Sequence, residues 1–348
     1  MRILLPFLHL EKFDRYIPQM KAMSERLDEF HIIFAGGEVV EEWKGKFSFH
    51  KVNIPYSLVR SITLRWWLSK GSLYEQIRDI DVDLYYTLSD FWSQEVARYV
   101  ALKSSKPYVV RLRGNHRASR EARRVSYYKK KIINYFEVRS LKEADLVIPI
   151  SSRLAKFAQD CGVKEDKVTE AVPIGVDAEH FKPMVVERED RFTVGYAGRI
   201  SLEKGILRLI EVARKLPNIR FLIAGKKEVE INFPANIRYE GKFPFGEMPH
   251  FYNKCDLIIL PSFTEGFPCV ILEAYACGKP ILATFESVPE ELQVFGAIGA
   301  VSSFPEMIKK IQTRSLQSIG RKAREYVTKS LTWERFGGSM IKCLEEIK

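Results

Sequence analysis

Ser262 to Pro280 reads SFTEGFPCVILEAYACGKP. It follows DLIILP (Asp256 to Pro261), a short apolar run of the kind that is buried on both faces in a parallel sheet. The spacing then predicts a helix. Pro268 suits its first position, where a missing N–H is no loss, and Gly278 suits the left-handed residue just past its end. A buried strand, a loop and a helix make up half of the repeating unit of a doubly wound α/β sheet. Glu265 lies in the loop and Glu273 about a turn inside the helix, with seven residues between them, so both can face a cleft at the helix N-terminus. Such a terminus offers unpaired N–H groups and a partial positive charge, which suit a phosphate. Two carboxylates beside a phosphate would repel it. They are better matched to hydroxyl groups, so the expected ligand is both phosphorylated and hydroxyl-rich.

Upstream, the apolar strand RFTVGYAG leads into YAGRISLEKG (Tyr196 to Gly205). Gly198 lets the backbone turn close to a ligand, Arg199 carries a rigid fork of donors, and Lys204 stands at the start of the next helix. Together they can grip a diphosphate from two sides. In this order, some sixty residues apart with strands and helices between, the two motifs make a specific pattern.

The run E-G-F-P-x4-E-A-x-A-x-G-x-P resembles the signature of glycosyltransferase family 4, retaining enzymes of the GT-B fold, and G-R-x4-K-G is similar to the family's diphosphate motif. The resemblance implies an α/β chain with two Rossmann-like doubly wound domains facing a central cleft. It implies that Glu273 holds the donor ribose, Glu265 the sugar hydroxyls, and the amides of Gly266 and Phe267 the sugar or diphosphate. Arg199 and Lys204 would neutralise the leaving nucleoside diphosphate. The implied reaction moves a sugar from a nucleoside diphosphate sugar to an acceptor hydroxyl with retention, the acceptor proton passing to a leaving phosphate oxygen, with no bound cofactor and no metal. The F-P after E-G resembles enzymes that use UDP-sugars, with GDP-mannose as the alternative. IGVDAEHFKP (Ile174 to Pro183) is similar to the family's interdomain segment.

The first half follows the family only in outline. Where many members have a Gly-Gly loop after the first strand, His9, Leu10 and Glu11 stand here, and Gly36-Gly37 reads as a turn. Where many members place a His after a strand matching YVVRL, this chain has Arg113, with His116 three residues on; either is a candidate for the donor sugar.

At 348 residues the chain exceeds one core, and 46% hydrophobic residues suffice for two. The expected division is 1–180 together with a returning helix at 332–348 as an acceptor-binding domain, and 181–331 as the nucleotide-sugar domain, with Ala178 to Arg191 as linker. Strands are expected at HIIFAG, LYYTL, YVVRL and DLVIPI in the first domain, and at RFTVGYAG, IRFLIAG, IRYEG, DLIILP and KPILAT in the second. MRILLPFLHLEK reads as a first buried strand and not as a signal peptide, so the expected location is cytoplasmic, or peripheral on the inner face of a membrane. The five cysteines contain no C-x-x-C pair, which argues against a zinc site. Asp79, Asp81 and Asp83 form D-x-D-x-D, a metal motif in glycosyltransferases of another fold, but they stand where a helix gives way to a loop, where acidic residues are commonplace.

Two other functions fit parts of the sequence. An epimerase of nucleotide sugars shares the fold and a diphosphate site but needs an acid and a base that the motifs do not supply. A nucleic-acid-binding protein fits the net charge of +11, though no nucleic-acid motif accompanies it, so no nucleic-acid partner is expected. The positive charge concentrates in RLRGNHRASREARRVSYYKKK (Arg111 to Lys131), with nine Lys/Arg and one acid. With Tyr127 and Tyr128 there, and Trp66 and Trp67 among other basic residues, the expected partner is an anionic membrane surface or a lipid-linked or otherwise anionic glycan acceptor.

Overall fold

The structure, a computed structural model, describes every residue except 11, 12, 14, 15, 44, 46, 54–63, 89, 90, 116, 118, 119, 121–125, 314 and 348; for 8, 9, 64–69, 91, 92 and 129 it describes the backbone alone. The chain forms two compact units. One comprises Met1–Gly114, Ser126–Val172 and Phe336–Lys348; the other comprises Asn115–Val125 and Pro173–Arg335.

The first unit is built on strands β1 (Arg2–His9), β2 (Glu29–Gly36), β3 (Ser48–Lys51), β4 (Leu84–Thr87), β5 (Tyr108–Leu112) and β6 (Leu146–Pro149). All are parallel, in the order β3-β2-β1-β4-β5-β6. Its helices are α1 (Ile17–Ser24), α2 (Leu64–Ile77), α3 (Phe91–Ser104), α4 (Tyr127–Glu143) and α5 (Ser152–Asp160). β4, β5 and β6 are buried along their whole length, which is why, apart from Thr87 and Arg111, they read as apolar runs.

The second unit repeats the plan. Its strands are β7 (Thr193–Ala197), β8 (Arg220–Ala224), β9 (Ile237–Gly241), β10 (Leu257–Leu260), β11 (Ile281–Ala283) and β12 (Gly296–Ile298). They run parallel in the order β12-β11-β10-β7-β8-β9. The helices are α6 (Ile206–Arg214), α7 (Met248–Asn253), α8 (Cys269–Ala276), α9 (Phe304–Gln312) and α10 (Gln317–Ser330), and α11 (Trp333–Glu345) closes the chain. Relabelled within its own half, each sheet has the order 3-2-1-4-5-6, the doubly wound arrangement. The expected two Rossmann-like domains are therefore present. β3 and β12 were not among the expected strands.

Three details differ from, or add to, the sequence reading. Arg111 belongs to β5 and is fully buried, so it is no part of a basic surface. Its guanidinium donates to the carbonyl of Pro149 at 3.1 Å and to that of Val172, and lies over the Phe336 ring at 5.4 Å. Burial pulls its pKa down to about 10, far above neutral pH, so it stays charged; carbonyls take the protons of its two terminal nitrogens, while its buried Nε has no hydrogen-bond partner. Asp83 accepts from the backbone N–H of Arg2 at 2.7 Å and from its guanidinium at 3.0 Å, and Asp81 also pairs with Arg2. These aspartates thus tie the start of β1 to the loop before β4. Gly37 has φ +91°, and a Cβ there would press on Leu10 at 3.1 Å, consistent with a turn packed on the end of β1.

Candidate active site

β7 and β10 are neighbours at the centre of the second sheet, and the connections leave them toward opposite edges. The space beyond their carboxyl ends is the switch point at which doubly wound sheets hold ligands. The two motifs occupy the two loops that start there.

On the β7 side, Gly198 has φ +155°, and its N–H donates to the Ala224 carbonyl at 2.9 Å. Gly225 must be a glycine as well, because a Cβ there would overlap the Gly198 carbonyl. The Tyr196 hydroxyl donates to the Arg199 carbonyl at 2.7 Å and pins the loop from below. Arg199 projects between two carboxylates, Glu228 at 2.9 Å and Glu203 at 3.3 Å. Burial acts to lower its pKa, and the two carboxylates outweigh that and raise it.

Lys204 closes the loop. Gly205, left-handed at φ 74°, serves as the N-cap of α6. A side chain there would overlap the Pro261 carbonyl, so the β7 loop rests directly on the residue that follows β10. This close approach brings Lys204 to Glu265. Its ammonium donates to both oxygens, at 2.6 and 2.7 Å, and the Ser262 hydroxyl donates to one of them at 2.9 Å. The residues assigned from the sequence to diphosphate and to sugar hydroxyls therefore bind each other.

On the β10 side, Gly266 and Phe267 form the loop before α8, with Phe267 buried. Pro268 is the N-cap of α8 and not its first helical residue as the sequence suggested, because its ψ of 110° is extended. Gly278 is left-handed as expected, at φ 68°. Its N–H donates to Tyr275 at 2.9 Å and that of Lys279 to Ala274 at 2.8 Å, the paired bonds of a Schellman end. Arg324 of α10 donates to the Ala276 and Phe181 carbonyls, the latter at 3.0 Å, placing a cation at the negative end of α8.

Glu273 projects from the first turns of α8 and is half-buried. The Tyr252 hydroxyl donates to its Oε2 at 2.5 Å. Desolvation raises the Glu273 carboxyl above the usual range, against the opposing pull of this bond and of nearby His180. His180 stacks on Phe245 at 5.1 Å and 17°. Tyr252, His180, Glu203 and Glu228 were not read from the sequence. Glu203 sits inside YAGRISLEKG and His180 inside IGVDAEHFKP; Tyr252 and Glu228 reach the site only through the topology.

Arg113 lies in the first unit, its guanidinium 4.6 Å over the Tyr16 ring, and His116 falls outside the described residues. A cavity of about 670 Å³ lies elsewhere in the second unit, against the starts of β7 and β8 and the edge strand β9. Its cations are already paired, Arg220 with Glu189 and Arg238 and Lys254 with Glu240, as in a structural ion network.

Residues 177–328, which include both motifs, match the family of group 1 glycosyl transferases. Over that segment the chain is similar to glycosyltransferases of the family-4 type. It is 25% identical over 225 residues to the alpha-galactosylglucosyldiacylglycerol synthase of Streptococcus pneumoniae, a match spanning 58% of this chain and 58% of the relative. The chain thus spans little more than half the length of that curated relative. Among solved structures it resembles the sucrose-phosphate synthase of Thermosynechococcus elongatus, with a TM-score of 0.81, 16% identity and coverage of 99% and 98% of the two chains. Anabaena HepE, crystallised with UDP and glucose, has a TM-score of 0.76 at 17% identity, covering 99% of this chain and 100% of the other. At these identities the likeness establishes a shared GT-B fold.

Proposed function

We propose that this chain transfers a sugar from a nucleoside diphosphate sugar, by preference a UDP-sugar, to an acceptor hydroxyl with retention at the anomeric carbon. The observation that carries this reading is the meeting of Lys204, Glu265 and Ser262 beside Arg199 at the carboxyl ends of β7 and β10. Cations and carboxylates side by side match a ligand with phosphates at one end and hydroxyls at the other. In the proposed reaction the bond from the anomeric carbon to the diphosphate breaks and the acceptor oxygen bonds to that carbon on the same face. The acceptor proton passes to the leaving phosphate oxygen. Arg199 and Lys204 stabilise the charge that grows on the diphosphate, and Glu265 orients the sugar without becoming a nucleophile. Glu273 accepts from the donor ribose. The relative named for a glycolipid product, together with the basic first unit, favours a lipid-linked or anionic glycan acceptor.

A thermal-shift panel of UDP-, GDP- and ADP-sugars tests the donor. A donor present at 100 times its Kd stabilises by about 2.7 kcal/mol, and flat curves for all three classes would remove the reading. Incubating the stabilising donor alone distinguishes an epimerase, which needs no acceptor. With Arg199 and Lys204 in the role a metal otherwise fills, turnover is expected to survive EDTA. Turnover that stops on chelation and returns with manganese would reassign that role.

Glu273 adds a pH signature. It accepts hydroxyl bonds best when ionised, and its raised pKa means protonation begins at a higher pH than for an ordinary glutamate. Donor affinity should therefore fall as pH drops from neutral into the mildly acidic range. Glu273→Gln should flatten that dependence and weaken binding by about 1.5–3 kcal/mol, the range for a charged hydrogen bond. Calorimetric titration at several pH values checks it; an unaltered affinity in the folded variant takes Glu273 out of the site.

A further inference from the structure

Arg199 has more negative charge around it than its orientation requires. Its Nη2 donates to Glu203, four residues on, at 3.3 Å, and its Nη1 donates to Glu228 at 2.9 Å. The ion pairs of the site thus join two cations, Arg199 and Lys204, to three carboxylates, Glu203, Glu228 and Glu265. Glu265 has a use in orienting the sugar. One further carboxylate is enough to hold the Arg199 fork, and the other opposes the anion that the fork is there to bind.

The backbone builds Glu228 into this place. Pairing between β7 and β8 continues past the ends of both strands: the Ile200 N–H donates to the Lys226 carbonyl at 2.9 Å, the Glu228 N–H donates to the Ile200 carbonyl at 3.0 Å, and Ile200 forms a parallel bridge with Lys227. Lys227 rests over the Tyr239 ring at 4.7 Å, and the carboxylate one residue on reaches Arg199. The two carboxylates on Arg199 differ in their freedom. The Glu203 side chain is 8% exposed and can only stay where it is, whereas that of Glu228 is 38% exposed and can exchange its bond to Arg199 for water.

We propose that Glu228 is a displaceable counter-ion of Arg199 that weakens binding of the departing nucleoside diphosphate more than binding of the donor. It yields Nη1 to the incoming diphosphate, stays nearby in water, and takes Nη1 back as the product leaves, while Glu203 holds the guanidinium throughout. The product is singled out by its charge. In the reaction proposed above the acceptor proton passes to the leaving phosphate oxygen, and a terminal phosphate gives up such a proton to water with a pKa of about 6. At neutral pH the nucleoside diphosphate therefore leaves with one more negative charge than the donor brought in, and Glu228 repels it more strongly. Glu228 acts on the ligand through Arg199 and is a positioning residue. This role rests on the reading of Arg199 as a diphosphate ligand.

Calorimetric titration of the full chain with UDP-glucose and with UDP, or with GDP-mannose and GDP should the thermal-shift panel select guanine, tests it. For Glu228→Gln we expect both nucleotides to bind tighter, and the ratio of Kd for the nucleotide sugar to Kd for the nucleoside diphosphate to rise about threefold, the effect of one added charge beside a partly exposed carboxylate. The change should shrink as salt is raised. Glu228→Asp keeps the charge and should keep the wild-type ratio, and both variants should keep the wild-type Tm. Weaker binding of both nucleotides to the glutamine variant, equal tightening of both, a ratio that moves as far in the aspartate variant, or a large fall in Tm overturns the role of Glu228 and leaves the donor reading standing. A wild-type chain that binds neither nucleotide removes the donor reading itself, and the role of Glu228 with it.

Discussion

Lys204→Ala is expected to lower kcat/KM by about two to three orders of magnitude, the cost of removing one preorganised group from a site of developing charge. The loss should fall mainly on kcat, because charge on the diphosphate grows toward the transition state. Stability should fall less than the rate does. The Lys204 and Glu265 side chains are only 20% and 14% exposed, so losing the lysine leaves a mostly buried carboxylate bonded to the Ser262 hydroxyl, at a cost of about 2 kcal/mol. Lys204→Arg keeps the charge but not the compact ammonium, and should recover part of the rate. Steady-state kinetics with the donor found by thermal shift decides it. Should Lys204→Ala keep kcat/KM within threefold of wild type while folded, Lys204 has no place in the chemistry.

Gly205→Ala should have the largest effect on stability, a loss of about 3 kcal/mol. Two costs coincide at this residue. Its φ of 74° lies where a side chain strains the backbone, and the new Cβ would overlap the Pro261 carbonyl, a backbone atom that no rotamer change can move aside. The same overlap pries the β7 loop from the β10 loop, so activity should fall with stability. Urea unfolding with an unchanged m value measures the first and initial rates the second. A loss under about 1 kcal/mol would mean that the two loops part freely, and that the Lys204–Glu265 contact does not depend on their close approach.

Much of the second unit was legible because its strands are buried on both faces. DLIILP and RFTVGYAG have no alternation to misread, and each ends at a glycine- or proline-marked loop. β3 and β12 escaped for the opposite reason. Ser48–Lys51 and Gly296–Ile298 are short edge strands, without an apolar run, whose pairing is decided by the neighbouring strand. Arg111 shows a limit of reading charge by density. Counted in a run of nine Lys/Arg it suggests a surface, yet its neighbours Val109, Val110 and Leu112 are strand residues and the structure buries it among carbonyls. In the site, the residue types were readable and their partners were not. Glu228 reaches Arg199 because β8 lies beside β7, and Tyr252 reaches Glu273 because α7 lies near α8. Such proximity follows from topology and leaves no local mark.

The contact between Lys204 and Glu265 also bears on discrimination among anions. Each group holds the other's charge, so the pair exerts little net pull on a passing phosphate. A ligand bearing phosphate alone would draw Lys204 away and leave Glu265 to the Ser262 hydroxyl. A bare sugar draws Glu265 and strands Lys204. Only a molecule that brings both kinds of group, at the right separation, replaces both halves of what it breaks. On the proposed assignment of Lys204 to the diphosphate and Glu265 to the sugar, the pair acts as a coincidence filter: inorganic phosphate and free sugar, each offering one half of the exchange, should be poor competitors for the site, and the chain's excess of positive charge would not turn it into a general trap for anions.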